Sequence, residues 1–230
     1  MVTIMSEMKP APVALNLRSL RERALRSRVE MANDVGVSTG LLVKLELGHG
    51  DTRLLLIFQL CLLLARYLGV RPSQVWNELI PPEMYNSFED VREYATSKLE
   101  SLHTQGGNQR AKRRFLARGA AKMEPDEVLA SISLYRFQRL FARSNYSQVD
   151  LSLITGISER RLNYLFAISA EKTGPLSLKI FLRLAAALAP VYGASISDTA
   201  YYLVEDDLER LDAFDQARRP RTDGKPQQNG

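Results

Sequence analysis

Two stretches of this chain repeat one pattern, and an internal repeat restricts the fold more tightly than any overall composition. They are VEMANDVGVSTGLLVKLELG, Val29 to Gly48, and SQVDLSLITGISERRLNYLF, Ser147 to Phe166, and their glycines Gly36 and Gly156 are 120 residues apart. At that offset Leu17 falls on Phe137, Leu20 on Leu140, Ser27 on Ser147, Val29 on Val149 and Met31 on Leu151. Val37 falls on Ile157, Ser38 on Ser158, Leu42 on Leu162 and Leu45 on Leu165. Val29, Met31 and Ala32 are expected to line the inner face of a first short helix, and Val37, Leu42 and Leu45 that of a second. Gly36 supplies a position that can take positive φ between them, and Ser38 stands where an N-cap hydroxyl meets a free amide. Each stretch reads as a helix-turn-helix.

At 230 residues, 45% hydrophobic and 25% charged, the chain has the composition of an ordinary soluble globular protein. Its length allows one domain or two, and the repeat favours two small helical units. A net charge of +5 leans mildly toward polyanionic partners. One cysteine, Cys61, excludes an intramolecular disulfide framework and suits a reducing compartment. The amino end lacks a basic start followed by a long apolar core, so no signal peptide is expected. Leu54 to Ala65 is the most apolar run, but Arg53 and Arg66 bracket it at a length too short to cross a bilayer. The expectation is a buried helix in a cytoplasmic protein with no membrane partner.

In chain order, a flexible lead to about Pro12 precedes a helix from Leu15 to Leu25. The helix-turn-helix follows, then a Gly48–Asp51 loop and a helix over Leu54–Tyr67 closed by Gly69. Pro72 opens a short helix through Val75, Trp76 and Leu79, which Pro81-Pro82 stops. In the connector, Ser87-Phe-Glu-Asp90 reads as a capping box, and Phe88, Val91, Ala95, Leu99 and Leu102 form an apolar stripe that needs a partner. His103 to Asn108 reads as a hinge, and Arg110 to Lys122 is the densest basic run. Pro125 starts a helix to about Ser144, Asn145 stands where a left-handed residue is wanted, and the helix after Pro175 contains LSLKIFLRLAAAL. Ser195 or Ser197 can start the last helix, and from about Gln216 the chain is polar and expected to be disordered. Gly69 and Gly193, after the two apolar helices, are 124 residues apart.

Five helices in this order, twice, resemble the lambda-repressor-like family of Cro and phage-repressor (XRE-type) DNA-binding proteins. In the first copy the resemblance is carried by Leu17, Leu20, Arg21, Ala32, Gly36, Val37, Ser38, Leu42, Leu45, Glu46, Gly48 and Leu68-Gly69-Val70. In the second it is carried by Leu140, Ser147-Gln148, Gly156-Ile157-Ser158, Leu162, Leu165 and Pro175-Leu176-Ser177-Leu178. The resemblance covers about two-thirds of the chain. It implies an all-α fold: a first helix-turn-helix domain at 13–80, a helical and partly basic linker at 81–124, a second domain at 125–205 and a polar tail at 206–230.

The resemblance also implies double-stranded DNA as partner, with the second helix of each pair in the major groove. In the second copy it assigns Gln148, Ser158, Glu159, Arg160, Arg161, Asn163 and Tyr164 to the reading face. Arginine can contact guanine and asparagine adenine, each through two hydrogen bonds. The first copy has Arg28 where the family has glutamine, and Gly40-Leu41 where polar side chains are expected. That leaves Arg28, Ser38, Thr39, Val43 and Lys44 as its candidates. Lys112, Arg113, Arg114 and Arg118 are candidate phosphate contacts. Plainer readings stand beside these: a solvated helix face for the second copy, and a surface charge run for the linker cations.

His49 and His103 are isolated, Cys61 reads as core, and Glu205-Asp206-Asp207 reads as the start of a solvated helix. No metal, cofactor or catalytic constellation is expected, which argues against an enzyme. The function expected is a sequence-specific transcriptional regulator whose two domains act as a covalent pseudo-dimer. The alternative is an adaptor or antitoxin-like protein whose first domain, with its apolar Gly40 to Val43 face, binds a protein partner or a second copy of the chain.

Overall fold

The computed structural model describes residues 13–104, 135–167 and 176–218. The lead, the linker from 105 on with its basic run, the start of the second copy at 125 and the last twelve residues lie outside them. The described residues are mostly helical and contain no strand.

The first copy comprises α1 (Leu17–Arg23), α2 (Arg28–Val35), α3 (Thr39–Glu46), α4 (Leu54–Leu68) and α5 (Pro72–Leu79). The connector supplies α6 (Pro82–Asn86) and α7 (Glu89–Thr104). The second copy comprises α8 (Tyr135–Arg143), α9 (Gln148–Thr155), α10 (Glu159–Ala167), α11 (Leu178–Tyr192) and α12 (Ile196–Arg218). α2 and α9 have eight residues each and start 120 apart, and α4 and α11 have fifteen each and start 124 apart.

Local chemistry explains the common boundaries. Ser27 and Ser147 each close a capping box, the first with Glu30 and the second with Asp150, so both ends of the cap are hydrogen-bonded. Gly36 and Gly156 end the following helices at φ 74° and 66°. The residue that turns the chain into each capping box is also left-handed, Leu25 at φ 52° and Asn145 at φ 61°. Asparagine suits that region, whereas leucine is strained in it. At Gly48, φ 73°, a Cβ would sit 2.9 Å from backbone atoms of Val13 and Ala14. Only glycine lets the incoming chain lie there.

One buried apolar cluster runs through both copies, from Leu15 to Leu211. The connector stripe packs with α11, and Ala95 at its centre is fully buried. α12 packs on α4, α5 and α6. Trp76, fully buried on α5, meets Phe58 with ring centroids 5.8 Å apart and Phe181 of the second copy edge-on at 6.0 Å. Cys61 is buried in α4, as expected.

The structure corrects several readings. Val29 is 57% exposed, because α2 buries Met31 and Ala32 and its Val35 packs beside them, leaving Val29 on the outer side. The Ser87 hydroxyl donates to the Met84 carbonyl, closing α6 rather than capping α7. Helix persists through Arg218, past residue 205, because Leu208 and Leu211 continue the buried face of α12. Glu205 and Asp206 do not start a solvated helix; they lie within α12 and bind Arg136 of α8. Of the two serines expected to start the last helix, Ser195 is the cap, accepting the Asp198 N–H at 3.1 Å, as one of the two alternatives has it.

Leu25 is 90% exposed, so its side chain holds little packing that offsets its backbone strain. Leu25→Asn is therefore expected to stabilise the protein by about 1 kcal/mol, read as a higher urea midpoint with unchanged slope.

Candidate nucleic-acid interface

α10 begins at Glu159 with Ser158 beside it as cap, its hydroxyl 3.4 Å from the Arg161 N–H. Leu162 and Leu165 are buried and fix which side of the helix faces the core. Ser158, Glu159, Arg160, Arg161 and Asn163 consequently all stand in solvent. Tyr164 lies on the same helix. Neither Arg160 nor Arg161 makes an ion pair among the described residues, although Arg18, Arg21, Arg23, Arg26, Arg28, Arg92, Lys98 and Arg136 all do. Two unneutralised guanidinium groups and an amide thus share the first turns of one exposed helix.

Neighbouring elements fix α9, on which α10 packs. Arg183 of α11 donates to the Thr155 carbonyl at 3.2 Å, tying down the end of α9 just before the turn glycine. The Tyr146 hydroxyl donates to the Ala95 carbonyl at 2.8 Å, and Lys98 pairs with Asp150 at 3.0 Å, so α7 grips the start of α9. Sequence reading missed Arg183 and Lys98 as positioning residues. Both partners are far along the chain and leave no periodic mark. Gln148, at the first position of α9, is half-buried, and its Nε2 has no hydrogen-bond partner among the described residues.

The first copy presents a different face. Ser38 caps α3 through the Leu41 N–H at 3.2 Å, Thr39, Gly40 and Lys44 are exposed, and Val43 is half-buried. Leu47, just past the helix, is 55% exposed. Arg28 is turned to another purpose: its Nε donates to Glu46 Oε2 at 2.7 Å, while Arg21 Nε donates to Oε1 at 2.7 Å. Glu46, with its side chain 1% exposed, is held between two guanidinium groups. Lys112, Arg113, Arg114 and Arg118 lie outside the described residues.

No protein-family model, curated protein or solved structure matches this chain. Among the described residues no three His, Cys, Asp or Glu side chains come together as a metal site. None of the described helices alone is long and apolar enough to cross a membrane.

Glu46 gives the face of the first copy an acid-sensitive support. Burial pushes its carboxyl up, but the hydrogen bonds from Arg21 and Arg28 outweigh burial and leave it below the ordinary carboxylate range. A carboxylate whose pKa is lowered by folding stabilises the fold above its unfolded value, about 4.3, and loses that contribution as pH falls through the folded value. Glu46→Gln is expected to lower stability at pH 7 by roughly 3 kcal/mol. In denaturant titrations the gap between wild type and variant should narrow as pH is taken from about 5 toward 2.

Proposed function

We propose that this chain is a sequence-specific DNA-binding regulator of transcription. In this reading it is built from two lambda-repressor-like five-helix units, 13–80 and 125–205, joined by the helical linker 81–124 and acting as a covalent pseudo-dimer. The observation that carries the reading is the exposed face of Asn163 with Arg160 and Arg161, two guanidinium groups without ion-pair partners among the described residues, on a helix seated by buried Leu162 and Leu165 and packed on α9. Arginine at such a position can give two hydrogen bonds to guanine, and asparagine can both give and accept with adenine.

The second reading rests on a separate observation. α3 offers Gly40, half-buried Val43 and the exposed Leu47 where α10 offers arginine and asparagine. A face so poor in donors also suits a protein surface, and the first unit is the one an adaptor or antitoxin-like protein would use. Size measurement separates the readings: a DNA reader needs no partner in the absence of DNA, whereas an adaptor forms a complex or oligomer without it.

Arg160→Ala and Asn163→Ala are each expected to weaken binding to the selected site by about 1–3 kcal/mol, roughly five- to 150-fold, and to relax preference at one base position. Lys44→Ala should weaken binding almost equally for all sequences and flatten the salt dependence by about one log unit. Titrations at several salt concentrations check both, and unchanged affinity of the Arg160 and Asn163 variants would remove α10 from the interface.

A further inference from the structure

The two copies touch through a short seam whose symmetry constrains any site they read together. Arg53 and Ser177, the residues just before α4 and α11, form an isolated antiparallel bridge. The Leu54 N–H donates to the Leu176 carbonyl at 2.8 Å, and the Leu178 N–H donates to the Thr52 carbonyl at 2.7 Å. α4 and α11 correspond at an offset of 124, so Thr52, Arg53 and Leu54 match Leu176, Ser177 and Leu178. Exchanging the copies turns each of these hydrogen bonds into the other. A contact that maps onto itself in this way is isologous, the mark of a two-fold relation, whereas head-to-tail copies pair unlike positions.

A second contact obeys the same rule. α5 and α12, which both start three residues after their glycine, pack on each other. Trp76 of α5 also lies edge-on against Phe181 of α11, and at the offset of 124 the corresponding positions, Ala200 of α12 and Ile57 of α4, are buried on two helices that pack together. The position of Trp76 is thus an alanine in the other copy, so matching places in the two copies carry unequal side chains.

Resting on the DNA-reading proposal above, we infer that the site is an inverted repeat of two unequal halves at a single fixed spacing, read by one chain. The symmetry of the protein is mirrored in the order of the half-sites. The hydrogen-bonded seam and the shared core remove the freedom a flexible tether would give. α10 contributes Arg160, Arg161 and Asn163 to its half, which is therefore rich in defined guanine and adenine positions. α3 contributes Thr39, Val43 and Lys44, which suit contact with thymine methyls and phosphate, so its half is less strictly defined.

The test is selection of bound duplexes from random DNA by the full chain, followed by measurement of the mass of the complex. The expected result is two dissimilar blocks in opposite orientation at one separation, with one chain per duplex. Adding five base pairs between the blocks turns one half to the far side of the helix, about half of a 10–10.5 base-pair turn, and binding should then fall to that of the α10 half alone. Direct repeats, identical halves held by two chains, or full affinity after the insertion would overturn this inference and leave DNA reading in place. Failure to enrich any sequence would overturn both.

Discussion

The structure depends on covering α11. Leu178, Phe181, Leu182, Leu184 and all five residues from Ala185 to Ala189 are buried, so this helix has almost no face to offer water. A helix apolar nearly all round can be stable only at the centre of other helices. α7, α8, α9, α12 and α4 all pack against it. The connector stripe of Phe88, Ala95, Leu99 and their neighbours is therefore part of the second copy's wall, even though it belongs to the segment that joins the copies. The same demand brings α4 beside α11 and gives the seam its place.

The two copies solve one local problem differently, and the difference decides what each can present. In the first, Glu46 is buried and needs both Arg21 and Arg28. At the offset of 120 these three positions are Phe166, Phe141 and Gln148. An apolar replacement of a buried ion pair is often neutral or stabilising, because no charge has to leave water. With no carboxylate to satisfy, the residue at the start of α9 is released from structural duty. The first copy instead commits its counterpart, Arg28, to holding Glu46, and the cation that sequence reading assigned to the interface becomes part of the support beneath it.

Much of the local architecture was legible in the residues. The offset of 120, the serine caps, the glycine turns, the left-handed Asn145, the helix end at Gly69 and the helix start at Pro72 are short-range chemistry, and each stands where the local residues require it. Tertiary choices were not legible. Val29 satisfies a helical period as well as Met31 does, and only packing decides that Met31 is inside. Arg136 meets Asp206 seventy residues away, with bonds of 2.8 and 2.5 Å, and stacks on Tyr202. No window of sequence joins those residues. The exposure of Arg160 and Asn163 was legible because Leu162 and Leu165 fix the helix face, whereas the helpers Arg183 and Lys98 were not.

The seam adds a consequence for how such a chain can diverge. In a homodimer every change to a surface helix appears in both subunits. Two copies on one chain are free of that restriction, and here they differ: α10 has Arg160 and Asn163 where α3 has Gly40 and Val43. What cannot diverge freely is the backbone that joins them. The hydrogen bonds at Leu54 and Leu178 use main-chain groups, so they survive changes of side chain that leave the helix starts intact. Both residues also stand at the first position of a helix, where an N–H has no partner inside its own helix and is available for a bond across the seam. The joint is thus insensitive to much of the sequence around it, and the faces it supports are the part left to vary.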